Sequence, residues 1–366
     1  MKRRVAVIGA TGSIGRQTAD VLAANPDRFE TVLVTAHENE KELERAAARV
    51  GAKKWALTSK TPLSVLTDTD IDIAVIAASG SGIIREVYEL AKRGITIAIA
   101  NKESIVAAGK FITAASKESG GLIIPVDSEH SAVFQCLKGN EQKYAAKLIL
   151  TASGGAFRSF TPAELKKVTV KQATEHPNWK MGKKISVDSA TMMNKGLELI
   201  EARYLFDIPP DKLDAVIHPE SMVHSFVVFT DSSVLAQIAS ADMRIPIAYA
   251  LGYPERINSC AKGVDFSLPF NLTFYPPEKG KYPCFELAKA VLIGDRQADM
   301  IVLNAANEAA VSAFLDNKIG FIDIKGVVEK VLNNEYNLYS EPNDIDGVLE
   351  IDRRTRTRAK EILEKN

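Results

Sequence analysis

The sequence predicts an α/β protein in three parts: a doubly wound parallel sheet at the N-terminus, a central α+β domain and an all-helical domain at the C-terminus. Three observations carry that prediction. Short β-branched runs alternate with longer amphipathic stretches over residues 1–126, a glycine-rich turn follows the first of those runs, and a helical period returns and persists beyond Pro283. Strand and helix in alternation, with strands that are apolar throughout, imply a parallel sheet covered on both faces.

The expected strands are residues 4–8, 31–35, 55–58, 73–77, 96–100 and 122–126, with amphipathic stretches such as SIGRQTADVLAAN and GIIREVYELAKRG between several of them. The run VAVIGATGSIG places Gly9, Gly12 and Gly15 between the first strand and the first helix. Glycines there permit a tight turn, a close backbone approach to a pyrophosphate and close packing of helix on strand, while the helix N-terminus offers amide donors to an anion. The spacing is GxxGxxG. Its position between strand and helix points to a Rossmann-like dinucleotide-binding domain over residues 1–126 rather than a purely structural turn. At the end of the second strand an acidic residue would bind the ribose of NAD and a basic one would favour NADP. That end reads VTAHENEK, and His37, Glu38 and Asn39 do not decide between the two.

After residue 126 the pattern changes. The apolar run GLIIPV leads into PVDSEHSAVFQ, and an extended chain points alternate residues the same way, so Asp127 and Glu129 can face one point. That point is a metal ion, a proton-transfer pair or water. Two carboxylates on one face repel unless a proton or a cation lies between them, and an oxygen-rich site suits Mg²⁺ or Mn²⁺. Asn101, Lys102 and Glu103 close the preceding strand, where they would face the same crevice or simply be solvated. KLILTASGGAF reads as a strand entering a small-residue loop, and Ser153, Gly154 and Gly155 there could wrap a phosphate. Residues 157–184 are polar and lack a period, as functional or mobile loops do. His176, Trp179, Met181 and Gly182 fall in that stretch, which reads as a lid.

SATMMNKGLELIEARYLF is expected as one helix, with Ser189 at its start and Asn194, Lys195 and Glu198 on one face. SMVHSFVVFT and VLAQIAS, on either side of DSS, read as an antiparallel hairpin, with Met243 just beyond it. Residues 251–281 are rich in Pro and Gly and read as a surface linker.

Lys+Arg and Asp+Glu number 46 each, so no global field draws the chain to nucleic acid or to an anionic membrane. An anionic ligand must therefore be held by a local cluster. Cys136, Cys260 and Cys284 are odd in number and match no metal-binding spacing, which points to a reducing compartment. No apolar run approaches the ~18 residues of a membrane span, and MKRRVAVIGATG enters its first strand at once, so a cytoplasmic location is expected.

Taken together and in order, GATGSIG, ANKES, PVDSEHSAVFQ, TASGGAF, EHPNWKMGKKISVDSATMMNKGLELIEA, HPESMVHS and LNAANEAAV resemble the 1-deoxy-D-xylulose 5-phosphate reductoisomerase family, and they nearly fill the chain. The resemblance implies NADPH as cofactor, Mg²⁺ or Mn²⁺ held by Asp127, Glu129 and Glu198, and a sugar phosphate substrate. It implies a phosphate held by Ser153, His176, Ser189, Asn194 and Lys195, with Ser128 and Lys102 at the reacting end and Trp179 over the substrate. Cofactor contacts at Thr11, Gly12, Ser13, Ile14, His37, Asn39, Asn101, Lys102, Glu103, Gly182 and Met243 belong to the same expectation, as does a homodimer. The implied partition is a cofactor domain (1–126), a catalytic, metal-binding and dimerisation domain (127–252) with its lid at about 153–183, a linker (253–280) and a helical domain (281–366). One departure concerns the cofactor. Where many members carry Gly-(Arg/Lys)-Asn beside the 2′-phosphate, this chain has Ala36-His37-Glu38-Asn39.

Two other readings compete. A dehydrogenase of homoserine or semialdehyde type would share the N-terminal domain, and its thioester-forming version needs a nucleophilic cysteine. A dinucleotide-sensing protein would bind cofactor without catalysis and should carry a basic helix-turn-helix or an exposed partner helix, neither of which the sequence displays.

Overall fold

The computed structural model describes residues 1–365 apart from 62–67, 176–178, 180, 268 and 336–337. Six strands, β1 (Arg3–Ile8), β2 (Phe29–Ala36), β3 (Lys54–Leu57), β4 (Ile73–Ile76), β5 (Thr96–Ile99) and β6 (Ile123–Pro125), form a parallel sheet in the order β3-β2-β1-β4-β5-β6. The order reverses between β1 and β4, which opens a crevice beyond their carboxyl ends. Helices α1 (Ser13–Ala23), α2 (Glu40–Val50), α3 (Ile84–Lys92) and α4 (Lys102–Glu118) cross over between the strands. Alternation explains why the strands carry no polar face. Val5, Val7, Val34, Ile73 and Val75 pack under α1 and α2, whereas Ala6, Ile8, Leu33, Ala74 and Ile76 belong to the core on the α3 and α4 side.

Beyond the sheet come α5 (Ser128–Leu137), β7 (Ala145–Ala152), α6 (Pro162–Leu165), α7 (Val170–Ala173), α8 (Lys183–Ala190) and α9 (Met193–Leu205). β8 (Leu213–Ile217), β9 (Val223–Phe229) and β10 (Val234–Ile238) complete a second, mixed sheet in the order β10-β9-β7-β8, with β9 and β10 as an antiparallel hairpin. Helix α10 (Arg244–Gly252) returns to the first sheet and packs beside α1 through Ile247, Ala248 and Leu251. Among the described residues of 253–280 the regular structure is a single bridge, Tyr275 to Ile217. The chain ends in α11 (Pro283–Gly294), α12 (Gln297–Leu315), α13 (Asp323–Glu335) and α14 (Ile345–Glu364). Helix α12 is buried nearly all round and touches α13, α14, α4 and α8, so the helical part is built onto the other two.

Two expectations need correction. The stretch 157–184 is not without periodic structure: α6 and α7 are single turns, each fixed by a capping box, Thr161 with Glu164 and Thr169 with Gln172. Nor is SATMMNKGLELIEARYLF one helix. It breaks between α8 and α9 at Thr191 and Met192, the latter with φ 59°. Thr191 Oγ1 donates back to the Val187 and Asp188 carbonyls at 3.2 Å and accepts the Met193 N–H at 3.3 Å. Such local side-chain bonds compete with the helical ladder, and here they end one helix and start another. Mid-helix Gly196 has a packing reason, since a Cβ there would stand 2.3 Å from the Ala288 Cβ on α11.

Candidate active site

One cleft of about 1010 Å³ lies where the first sheet, α5, α9, the 153–183 segment and the start of α10 meet. Asp127 and Glu129 share one wall of it, although not through strand alternation. β6 stops at Pro125, Asp127 caps α5 by accepting the Glu129 N–H at 3.3 Å, and Glu129 lies in the first turn of that helix. Glu198, in the second turn of α9, faces them, and the three carboxylates offer oxygens within 4.8 Å of one another. Two buried ammonium groups hold this cluster. Lys102 Nζ lies 2.7 Å from Asp127 and 3.8 Å from Glu198; Lys195 Nζ lies 2.6 Å from Glu129 and also contacts Glu198.

The charges are strongly coupled. Burial opposes the ionised forms, yet the surrounding carboxylates outweigh it and hold Lys102 well above its ordinary pKa, while Lys102 holds Asp127 well below. Glu198 goes the other way. Burial, then the neighbouring Glu129 carboxylate, push it up to about 8. Three carboxylates around one point make an all-oxygen donor set of the kind that Mg²⁺ and Mn²⁺ take, and a divalent cation would relieve the repulsion that raises Glu198.

Behind this set lie two residues that sequence reasoning passed over. Glu201, buried, accepts from Lys102 at 3.0 Å. It follows Glu198 by three in LELIEA, and that spacing already placed it on the same helix face. His130, fully buried, puts Nε2 2.9 Å from the Glu198 backbone carbonyl, and burial notwithstanding, the Glu201 and Asp127 charges raise it to about 9. Asp127, His130 and Glu201 form a second set that could surround a metal; Lys102 bonds both of its carboxylates, as Lys195 bonds Glu129 and Glu198 in the first, and its third donor is a buried imidazole in place of a carboxylate.

Ser153, Ser189, Asn194 and Lys195 also line the cleft, Asn194 and Lys195 in direct contact with Glu198, and Ser128 donates to Glu129 at 2.5 Å. The Gly154-Gly155 turn brings the two serines together: Gly155 has φ +72°, and a Cβ there would stand 2.5 Å from the Ser189 carbonyl oxygen. Ser189 is the penultimate residue of α8 rather than a helix start; the helix start here is that of α9, which supplies Asn194 and Lys195 in its first turn. Asn194 Oδ1 is buried with no hydrogen-bond partner among the described residues, an acceptor open to a ligand. Trp179 and Met181 line the cleft, with the Trp179 ring 6.2 Å from His224, a buried lining residue that the sequence suggested for the core or an interface. His176 lies outside the described residues.

The other end of the cleft is the glycine turn. Gly12, Ser13 and Ile14 line it, and Gly182 and Met243 line the same cleft. Gly9 has φ +90°, and a Cβ on Gly15 would sit 2.3 Å from the Gly9 carbonyl oxygen, so the α1 N-terminus is drawn hard against the turn. Gly12 caps α1, and a Cβ there would meet only the Gly9 and Ala77 carbonyl oxygens at 3.4 and 3.7 Å; helix amides beside such a turn could receive a pyrophosphate. Thr11, His37, Asn39, Asn101 and Glu103 do not line the cleft. Thr11 gives its carbonyl to Arg16, and His37 faces Thr58 at the β2 end. Asn39 and Asn101 cap α2 and α4, their side chains accepting the N–H groups of Glu42 and Ser104.

Glu103 has a structural partner that the sequence did not reveal. Lys184 Nζ lies 2.9 Å from both Glu103 and Asp188, and Asn307 on α12 donates to Asp188 at 2.8 Å. Asp188, for which the sequence suggested no role, thus joins α8 to the C-terminal helices. Replacing Lys184 by Met strands two buried carboxylates and is expected to cost about 3–5 kcal/mol. Denaturant midpoints read this directly, and a loss below about 1 kcal/mol would show that the pairs contribute only as surface ion pairs do.

Family models agree with the geometry. Residues 5–69 and 52–109 match 1-deoxy-D-xylulose 5-phosphate reductoisomerase, residues 123–206 match the C-terminal domain of the same enzyme, and residues 238–358 match the DXP reductoisomerase C-terminal domain. The reductoisomerase of Zymomonas mobilis subsp. mobilis is 41% identical over 99% of this chain and 98% of its own length. The chain belongs to the 1-deoxy-D-xylulose 5-phosphate reductoisomerase family. The reductoisomerase of Thermoanaerobacter pseudethanolicus is 44% identical over 96% of this chain and 97% of its own. A solved reductoisomerase from Zymomonas mobilis in complex with NADPH is similar over the whole of both chains, with a TM-score of 0.91 and 39% identity. A crystal structure of a DOX-P reductoisomerase in complex with NADPH, fosmidomycin and magnesium has a TM-score of 0.90 and 34% identity, covering 99% of this chain and 98% of that one. The semialdehyde alternative is not favoured within this family, and Cys136 lacks the character of a nucleophile: it is buried in α5, where burial pushes its thiol up to about 11.

Proposed function

We propose that the protein converts 1-deoxy-D-xylulose 5-phosphate to 2-C-methyl-D-erythritol 4-phosphate, dependent on NADPH and on Mg²⁺ or Mn²⁺, as a step of non-mevalonate isoprenoid synthesis. The observation that carries this reading is one cleft lined together by a three-carboxylate cluster, by Ser153, Ser189, Asn194 and Lys195, and by a glycine turn. Asp127, Glu129 and Glu198 hold the metal, Ser153, Ser189, Asn194 and Lys195 grip the phosphate, and the turn at Gly12, Ser13 and Ile14 carries the cofactor. When bound, the metal supplies Lewis acidity to the sugar's carbonyl and hydroxyl oxygens and NADPH supplies the hydride. Lys102, kept protonated by Asp127 and Glu201, and Ser128 face the reacting end, where reduction of a carbonyl calls for a proton on the oxygen. The phosphate grip supplies binding energy remote from the reacting carbons, and residues 153–183 close over the sugar with Trp179, excluding water and orienting those carbons.

The same reading includes a homodimer formed through the second sheet. Its outer strand β10 exposes Val234, Leu235 and Ile238, which an edge strand in contact with solvent would be expected to avoid. It also places the protein in the cytoplasm, where NADPH is abundant and the free thiols Cys136, Cys260 and Cys284 stay reduced. Among the described residues, no helix is long and apolar enough to cross a membrane. The test is the loss of reduced-nicotinamide absorbance when the sugar phosphate is added. Oxidation should require substrate and Mn²⁺ together; a purified protein that leaves NADPH untouched with both present would overturn the reading.

A further inference from the structure

We infer that Arg16 is the residue that distinguishes NADPH from NADH in this protein, its guanidinium receiving the 2′-phosphate of the adenosine ribose. The inference rests on the cofactor reading above and goes beyond it by assigning the discrimination to one side chain.

A sheet of this order lays its dinucleotide across the carboxyl ends of β1 and β2, with the adenosine ribose turned toward the loop between β2 and α2. That loop, residues 37–39, does not line the cleft, and its charge works against an extra phosphate: Glu38 is 77% exposed there. Glu40 and Glu42 follow in the first turn of α2, with Lys60 engaged by Glu40 at 3.1 Å. Positive charge must come from elsewhere.

Four basic side chains line the cleft among the described residues. Lys102 and Lys195 are buried at the substrate end among carboxylates. Arg244 is committed to Asp242, with Nε at 2.9 and 3.1 Å from its two oxygens. Arg16 differs in place and in partner. It sits one turn into α1, donates through Nη1 to the Thr11 carbonyl at 2.7 Å, and lies 3.5 Å from Glu42 at the start of α2. The guanidinium therefore sits where the glycine turn meets the β2–α2 corner, the edge on which the ribose 2′ position falls. Its side chain is 60% exposed, and both of these contacts are made through Nη1, the Glu42 one long at 3.5 Å, so Nε and Nη2 take part in neither. A planar fork of donors fixed in orientation suits two oxygens of a phosphate, and a charge-assisted pair of that kind is roughly twice as strong as a neutral hydrogen bond. A cofactor lacking the 2′-phosphate gains nothing from it.

The test uses the full chain and follows NADPH and NADH binding by nicotinamide fluorescence in the unmodified protein, Arg16→Ala and Arg16→Gln. Glutamine keeps a donor for the Thr11 carbonyl and removes the charge, so it separates support of the turn from recognition of phosphate. Both variants should bind NADPH about 10- to 100-fold more weakly while the NADH constant moves by less than about twofold. Added salt should narrow the preference in the unmodified protein and leave the variants nearly unchanged. An undiminished NADPH preference in Arg16→Gln, or an equal loss for both cofactors, overturns the assignment while the cofactor reading stands. An unmodified protein with no preference for NADPH overturns both.

Discussion

Replacing Glu198 by Gln is expected to lower metal-dependent turnover by about 10³-fold or more, the several kcal/mol that a Lewis acid contributes to a developing charge, while NADPH affinity stays near that of the unmodified protein. The geometry explains why the effect should be so selective. Glu198 is buried on α9 opposite Asp127 and Glu129, and the glycine turn lies at the other end of the cleft. The substitution also keeps the fold supported: Lys102 retains Asp127 and Glu201, and Lys195 retains Glu129. Thermal unfolding adds a reading independent of catalysis. Mn²⁺ at about 100 times its dissociation constant should stabilise the unmodified protein by about 2.7 kcal/mol. That stabilisation should be largely absent in Glu198→Gln. Near-normal activity, or an undiminished response to Mn²⁺, would remove Glu198 from the metal site.

Lys195→Ala should raise KM for the sugar phosphate by about 10- to 100-fold, the range of a lost charge-assisted hydrogen bond, with a smaller change in kcat. The structure adds a second consequence. The Lys195 ammonium touches both Glu129 and Glu198, so its removal leaves carboxylates facing each other with Lys102, among the described residues, as the cation left near Glu198. The metal-free variant should therefore melt below the unmodified protein, and Mn²⁺ should recover more of the difference than it adds to the unmodified chain. A KM that does not move would end the phosphate assignment, whatever happens to the melting temperature.

How much of this was legible in the residues depends on how locally each feature is encoded. The parallel sheet was readable because its strands are buried on both faces, so apolar runs such as IAVI at Ile73–Ile76 stand out from their surroundings, and the observed ends differ from the expected ones by two residues at most. The convergence of Asp127, Glu129 and Glu198 was anticipated, but for a partly wrong reason. The strand was expected to run one residue further and the chain to stay extended through Glu129, because Asp127 is as good a helix cap as a strand-end ligand and periodicity does not separate the two. The break at Met192 was missed because MMNKGLELIEA has ample helix propensity, and the interruption comes from the Thr191 hydroxyl, whose partners are fixed only once the chain is folded. The capping boxes of α6 and α7 were present in TPAE and TVKQ and went unread. Lys184 with Glu103, 81 positions apart, and Asn307 with Asp188, 119 apart, are long-range pairs that no local pattern encodes.

Those last pairs determine how the molecule comes apart. Glu103 opens the helix that carries Lys102, Lys184 and Asp188 lie on the helix leaving the mouth of the cleft, and Asn307 belongs to the central helix of the C-terminal bundle. Opening α4 or α8 alone would separate a buried ion pair, and opening α12 would take from Asp188 its Asn307 donor, so partial opening is penalised and the three regions are expected to lose structure in one concerted event. Amide protons at the start of α4, in α8 and in the middle of α12 should thus exchange with solvent at a common, globally limited rate, and the C-terminal helices should resist removal by limited proteolysis for as long as the cleft itself is intact.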